Sequence, residues 1–103
     1  MEPSVTVQTI ASLQDYETEM RALGFPEVVV RDYSADEIIP IHSHPFAAKA
    51  VVVRGEMWLT RGDDTQHLRV GDGFQLAHQE PHAERYGSEG ATYWVGRRAE
   101  PWA

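Results

Sequence analysis

The chain contains no cysteine. Disulfide staples, thiolate metal sites and cysteine nucleophiles are therefore excluded. Basic residues are also scarce, nine against sixteen acidic ones, which gives a net charge of −7. Such a surface repels phosphates, and no lysine/arginine stripe offsets the repulsion, so no nucleic-acid partner is expected. No apolar run approaches the ~20 residues that a membrane helix needs, which argues against a membrane partner. The start, Met1-Glu2-Pro3-Ser4, lacks the basic and apolar regions of a secretion signal. The expectation is a soluble, cytoplasmic protein. Two catalytic signatures are missing as well. Gly71-Asp72-Gly73 has no helix after it to make a phosphate loop, and there is no Gly-x-Ser-x-Gly elbow.

What is present fits one globular domain spanning residues 1–103, of which 42% are hydrophobic. A chain this short buries only about two thirds of its unfolded surface, which makes a homodimer a reasonable expectation. Ser12 with Asp15 reads as a helix start. Leu13, Tyr16, Met20 and Leu23 recur at helical spacing, and Gly24 and Pro26 read as the stop. This predicts a helix over about 12–23. The pattern then becomes strand-like from about 27 to 98. Val28–Val30, Asp36–Ile41, Ala50–Val53, Met57–Thr60, Thr65–Val70, Phe74–Ala77, Pro81–Tyr86 and Ala91–Val95 are short strand candidates. Arg54-Gly55-Glu56, Arg61–Asp64, Gly71–Gly73 and Gly87–Gly90 read as turns between them. Many short strands without strand–helix alternation predict an all-β sandwich or barrel. The tail Glu100-Pro101-Trp102-Ala103 leaves two readings open, a loose end or a tryptophan docked on a neighbour.

Histidines carry the chemistry. In His42-Ser43-His44 the two imidazoles are two residues apart, so an extended strand points both to one face. Strand twist and rotamer choice can bring them onto one ion at the usual metal–nitrogen distance of about 2.0–2.1 Å. His82, at the start of a later strand, can face this pair across a barrel and complete a three-nitrogen face. His67, beside a hairpin turn, and His78, in the loop before His82, need no such role. Ala48 alternates inward with Ala50 and Val52, while Lys49 alternates away. Glu84 and Tyr86 follow His82 on its own side of the strand. Phe46, Trp58 and Tyr93 or Trp94 are candidate pocket walls.

These residues resemble the small single-domain cupins over roughly residues 28–96. The first cupin motif, Gly-x5-His-x-His-x3–4-Glu-x6-Gly, is met by His42, His44 and Gly55, and the second, Gly-x5-Pro-x-Gly-x2-His-x3-Asn, by Gly71 and His82. Asp36 stands where the first motif has its leading glycine. Ala48 or, at the longer spacing, Lys49 stands in place of the motif glutamate. Ala77, Gln79 and Tyr86 replace the proline, glycine and asparagine of the second motif.

The resemblance implies a double-stranded β-helix (jelly-roll) barrel with one short N-terminal helix. It also implies one divalent metal ion on His42, His44 and His82. Fe(II) is favoured, and Zn, Ni, Mn or Cu would also suit imidazole ligands. Three neutral imidazoles leave the ion its full charge and up to three open positions, close to the facial arrangement of non-haem iron oxygenases. The implied enzyme is a dioxygenase acting on a small anionic chelating substrate, with Phe46, Ala48, Trp58, Glu84 and Tyr86 as substrate-binding candidates. Glu84 has two further roles open to it, orienting a histidine or acting as a fourth ligand. A metal-dependent isomerase or lyase, a metal- or small-molecule-sensing module without turnover, and a metal-stabilised structural protein are the other readings.

Overall fold

The computed structural model describes residues 12–99. The tail at 100–103 lies outside them. The predicted helix is α1, Leu13–Ala22. The Ser12 side chain accepts the backbone N–H of Asp15 at 3.0 Å, closing the N-terminus. At the other end Gly24 takes φ +95°, while its N–H donates to Arg21 and that of Phe25 to Met20. This pair of reversed bonds satisfies the last carbonyls and needs glycine at the left-handed position. Tyr16 and Met20, one turn apart, are the buried face of α1. Leu23, expected on the same stripe, is 49% exposed, because it is the C-cap and lies where the helix has already ended.

Six strands follow: β1 Glu27–Tyr33, β2 Ile38–His42, β3 Ala47–Arg61, β4 Asp64–Arg69, β5 Gly73–Leu76 and β6 His82–Arg98. They form one antiparallel sheet ordered β1-β6-β3-β4, in which β2 also pairs with β6 and β5 with β3. The sequence pattern predicts about eight strands. The difference lies at two glycine-containing segments read as turns. Arg54-Gly55-Glu56 is the middle of β3, and Gly87–Gly90 is the middle of β6. Both are irregularities within continuous strands, where the β3–β6 register shifts. There the long strands change partners: β6 pairs first with β2 and then with β1, while β3 pairs first with β5 and then with β4.

The glycines at this bend are required. Gly55 (φ +73°) and Gly90 (φ +71°) are both left-handed. A Cβ on Gly55 would fall 2.1 Å from the Gly90 carbonyl oxygen, and one on Gly90 would fall 2.2 Å from that of Tyr33.

Alternation on the long strands sorts two cores. Ala48, Ala50, Val52, Met57, Leu59, Tyr86, Tyr93 and Val95 fill the interior with Leu68, Phe74 and Leu76. The opposite face of β3 gives Ala47 and Val51 to a second cluster with Tyr16, Met20 and Phe25. The Tyr16 hydroxyl donates to the Lys49 carbonyl at 2.7 Å, fixing α1 on this outer face. No described helix is long and apolar enough to cross a membrane.

Candidate metal centre

His42 ends β2 and sits directly opposite His82, the first residue of β6. Between Ile39, which pairs with Glu84, and His42 the register slips by one residue. This bulge sets the site. Ile39 packs on the interior core, so plain alternation would turn Ile41 inward next. The extra residue leaves Ile41 76% exposed and turns His42 toward the inside instead.

The three rings meet. Their centroids are 4.7 Å (His42–His44), 4.3 Å (His42–His82) and 5.3 Å (His44–His82) apart. One ligand nitrogen from each lies within 4.8 Å of the others. Two rings are anchored from behind. His42 Nδ1 is 2.8 Å from the Pro40 carbonyl and His82 Nδ1 is 2.9 Å from the Glu80 carbonyl. A carbonyl only accepts, so each Nδ1 carries its proton and, in a neutral ring, leaves Nε2 with the lone pair. This is the usual support for a metal-ligating imidazole.

His82 is only 2% exposed. Glu84 Oε2 lies 3.2 Å from its Nε2 and 3.6 Å from that of His42. The contact at His82 Nε2 lacks hydrogen-bond geometry, so this buried nitrogen has no hydrogen-bonding partner among the described residues. Glu84 is itself buried, and its other oxygen accepts a hydrogen bond from the Tyr86 hydroxyl. Behind it the Tyr33 ring stacks on Tyr86 at 4.2 Å and 6°, and the Tyr33 and Tyr93 hydroxyls are 3.4 Å apart.

Electrostatics follow from this packing. Burial, and then the neighbouring His42 and His82, push the His44 imidazole below its ordinary pKa. Burial also pulls His82 down, but Glu84 and the Glu80 carbonyl outweigh it and hold His82 above the ordinary value. Burial of Glu84 raises its pKa, yet His82 and Tyr86 together bring it below the usual carboxylate range. Desolvation, with neighbouring Tyr93 and Glu84, drives the Tyr86 phenol up, so it remains a donor. The pocket thus holds an ionised carboxylate that calls for positive charge beside it.

The other sequence candidates divide. Phe46 stacks on His44 at 4.8 Å and 13°, with the Arg97 guanidinium 4.9 Å from its ring centre. Ala48 is buried on the interior face, as alternation predicts. Trp58 is not brought to the histidines, and its assignment as a substrate contact is corrected. It pairs with Arg85 on the face opposite Met57 and Leu59. There it stacks on His67 (4.5 Å, 2°) beneath the Arg85 guanidinium at 4.0 Å. His67 also meets Glu56 at 2.7 Å, a surface role. His78 is half-buried in the loop before His82 and is not part of the cluster.

Sequence reasoning passed over three participants. The carbonyls of Pro40 and Glu80 leave no trace in side-chain identity. Arg31 could have been found by alternation, since it lies between Val29 and Tyr33, both of which pack on the interior core. It pairs with Tyr93 in register, and its charge adds a small downward push on His44.

No protein-family model matches the chain, and no curated protein matches it. Solved structures do. The DMSP lyase DddQ from Ruegeria pomeroyi DSS-3 is 26% identical, with a TM-score of 0.60 over 69% of this chain and 36% of its own. The polyketide cyclase RemF from Streptomyces resistomycificus is 22% identical, with a TM-score of 0.62 over 74% of this chain and 56% of its own. An RmlC-like cupin protein from Desulfovibrio desulfuricans is 23% identical, with a TM-score of 0.59 over 70% of each chain. This chain thus spans about a third of the lyase and just over half of the cyclase. The likenesses show the fold, a small cupin domain of the double-stranded β-helix type.

Proposed function

We propose that this cupin domain holds one divalent metal ion through His42, His44 and His82 and acts there on a small anionic, chelating substrate. The observation that carries the reading is the convergence of three imidazoles within 4.8 Å, two of them fixed through Nδ1 by backbone carbonyls. The ionised Glu84 beside them supplies the counter-charge that a buried cation needs. Fe(II) is the favoured ion and a dioxygenase the favoured activity. When bound, the ion would supply a Lewis acid and, as Fe(II), one-electron chemistry with O2. The chain's own part is to orient the imidazoles and to exclude water through Phe46 and the interior core, while Ala48 adds little bulk on the inward face of β3. Arg31 adds a cation that favours an anionic substrate.

Anaerobic Fe(II) reconstitution followed by oxygen-uptake screening tests this against β-diketones, catechols, thiols and keto acids. Uptake dependent on both Fe(II) and one substrate class is expected. Stoichiometric metal with no uptake and no product in any class would overturn the dioxygenase reading. A metal-dependent lyase is the second reading, favoured by the likeness to a DMSP lyase. Product formed without oxygen would select it.

A further inference from the structure

We infer that Glu84 is the fourth metal ligand, delivered from β6, and that it replaces the carboxylate for which Ala48 leaves no donor on β3. This rests on the metal-binding reading above. Ligands bound at about 2.0–2.1 Å and at tetrahedral or right-angle positions lie about 2.9–3.4 Å from one another. Glu84 Oε2 is 3.2 Å from His82 Nε2 and 3.6 Å from His42 Nε2. The carboxylate therefore stands at ligand spacing from His82 and a few tenths of an ångström beyond it from His42; it lies outside the group formed with His44, so its side chain must swing inward to complete the set. His82 Nε2 and Glu84 Oε2 form a buried contact at 3.2 Å that lacks hydrogen-bond geometry. One cation between them would satisfy both.

The rest of the pocket prepares Glu84 for this. The Tyr86 hydroxyl occupies Oε1, leaving Oε2 as the oxygen turned to the imidazoles. Tyr33, stacked flat on Tyr86, keeps that phenol in place. Burial denies the carboxylate any alternative solvation by water. The consequence for the substrate is specific. Three imidazoles and one carboxylate leave a divalent ion with a net charge of +1 and two of six octahedral positions. That combination suits one bidentate monoanion, such as an enolate or an α-keto or α-hydroxy carboxylate, over a tridentate ligand, which needs a third position, and over a dianion, which overcompensates the charge.

Co(II) and Zn(II) binding to the purified protein test the inference without turnover. The wild type should bind one Co(II) per chain. Glu84→Gln, of equal size but uncharged, should bind it at least tenfold more weakly and with a changed visible spectrum. His82→Ala should bind none. The wild type also gives an independent readout: Zn(II) addition should shift a carboxylate band in the infrared difference spectrum, and this holds even if Glu84→Gln does not fold. One ion bound with no carboxylate band shift, or with affinity and spectrum unchanged in Glu84→Gln, would overturn the role of Glu84 and leave the three-histidine site standing. A wild type that binds no metal at all would overturn the underlying reading.

Discussion

Two residues that stand where cupin motifs have glycine are the two non-glycine residues with positive φ among those described: Asp36 at +59° and Gln79 at +64°. The backbone has retained the left-handed turns while the residues have changed. Gln79 offers the cleaner perturbation. A side chain in this region costs about 1–2 kcal/mol, which glycine avoids. Glycine gives back about 0.5–1 kcal/mol through the greater freedom of the unfolded chain. Replacing Gln79 also removes an exposed 3.3 Å bond from Ser43 Oγ to Gln79 Oε1, too long and too wet to count for much. The backbone N–H of Gln79, which donates to the His44 carbonyl at 2.8 Å, is untouched. Gln79→Gly should therefore stabilise the protein by about 0.5–1 kcal/mol, a rise in Tm of roughly 2–8 °C for a domain of this size. Gln79→Ala keeps the Cβ and should gain nothing. Asp36→Gly should gain less than Gln79→Gly, because aspartate tolerates the left-handed region better. Thermal and urea melts of the three variants decide it. If glycine and alanine at position 79 behave alike, the strain argument is wrong, and with it the alignment of the second motif to this loop.

The remaining expectations concern the site and its frame. His82→Ala should abolish stoichiometric metal binding, and full occupancy by elemental analysis would refute its place in the cluster. Gly55→Ala puts a Cβ 2.1 Å from a backbone oxygen at a positive φ and should cost about 3 kcal/mol or more, read by urea unfolding. A cost under about 1 kcal/mol would show that the bend can open. Tyr16→Phe removes the 2.7 Å bond to the Lys49 carbonyl and should cost about 1 kcal/mol while leaving Co(II) affinity unchanged. A change in metal affinity would show that α1 is coupled to the interior.

Much of this is legible in the sequence, for identifiable reasons. The inward run His82, Glu84, Tyr86 follows from period-two alternation, and the structure keeps it; His42 and His44 converge by another route, since a bulge turns His42 inward and His44 lies just past the end of β2. Gly55 and Gly87–Gly90 read as turns because glycine marks a chain reversal and a mid-strand irregularity with the same signal. Which it is depends on pairing between β3 and β6, residues that are distant in sequence. Trp58 is misplaced by the sequence for a related reason. Its neighbours Met57 and Leu59 are apolar too, so alternation alone does not say which side the indole takes. The carbonyls that anchor His42 and His82 belong to the backbone, and no residue type advertises them.

The slip between Ile39 and His42 bears on which ring nitrogen faces the site as well as on direction. Pro40 and Ile41 have no ladder partners on β6. Proline, with no N–H to donate, suits such a gap, and its carbonyl is left to the ring of His42 two residues on. Shortening β2 by Ile41 alone would still bring His42 inward, since it would then stand two steps from Ile39. It would also close the gap into regular ladder and withdraw the acceptor that holds the Nδ1 proton. The extra residue thus keeps the His42 ring in one tautomer, with Nε2 free for the ion.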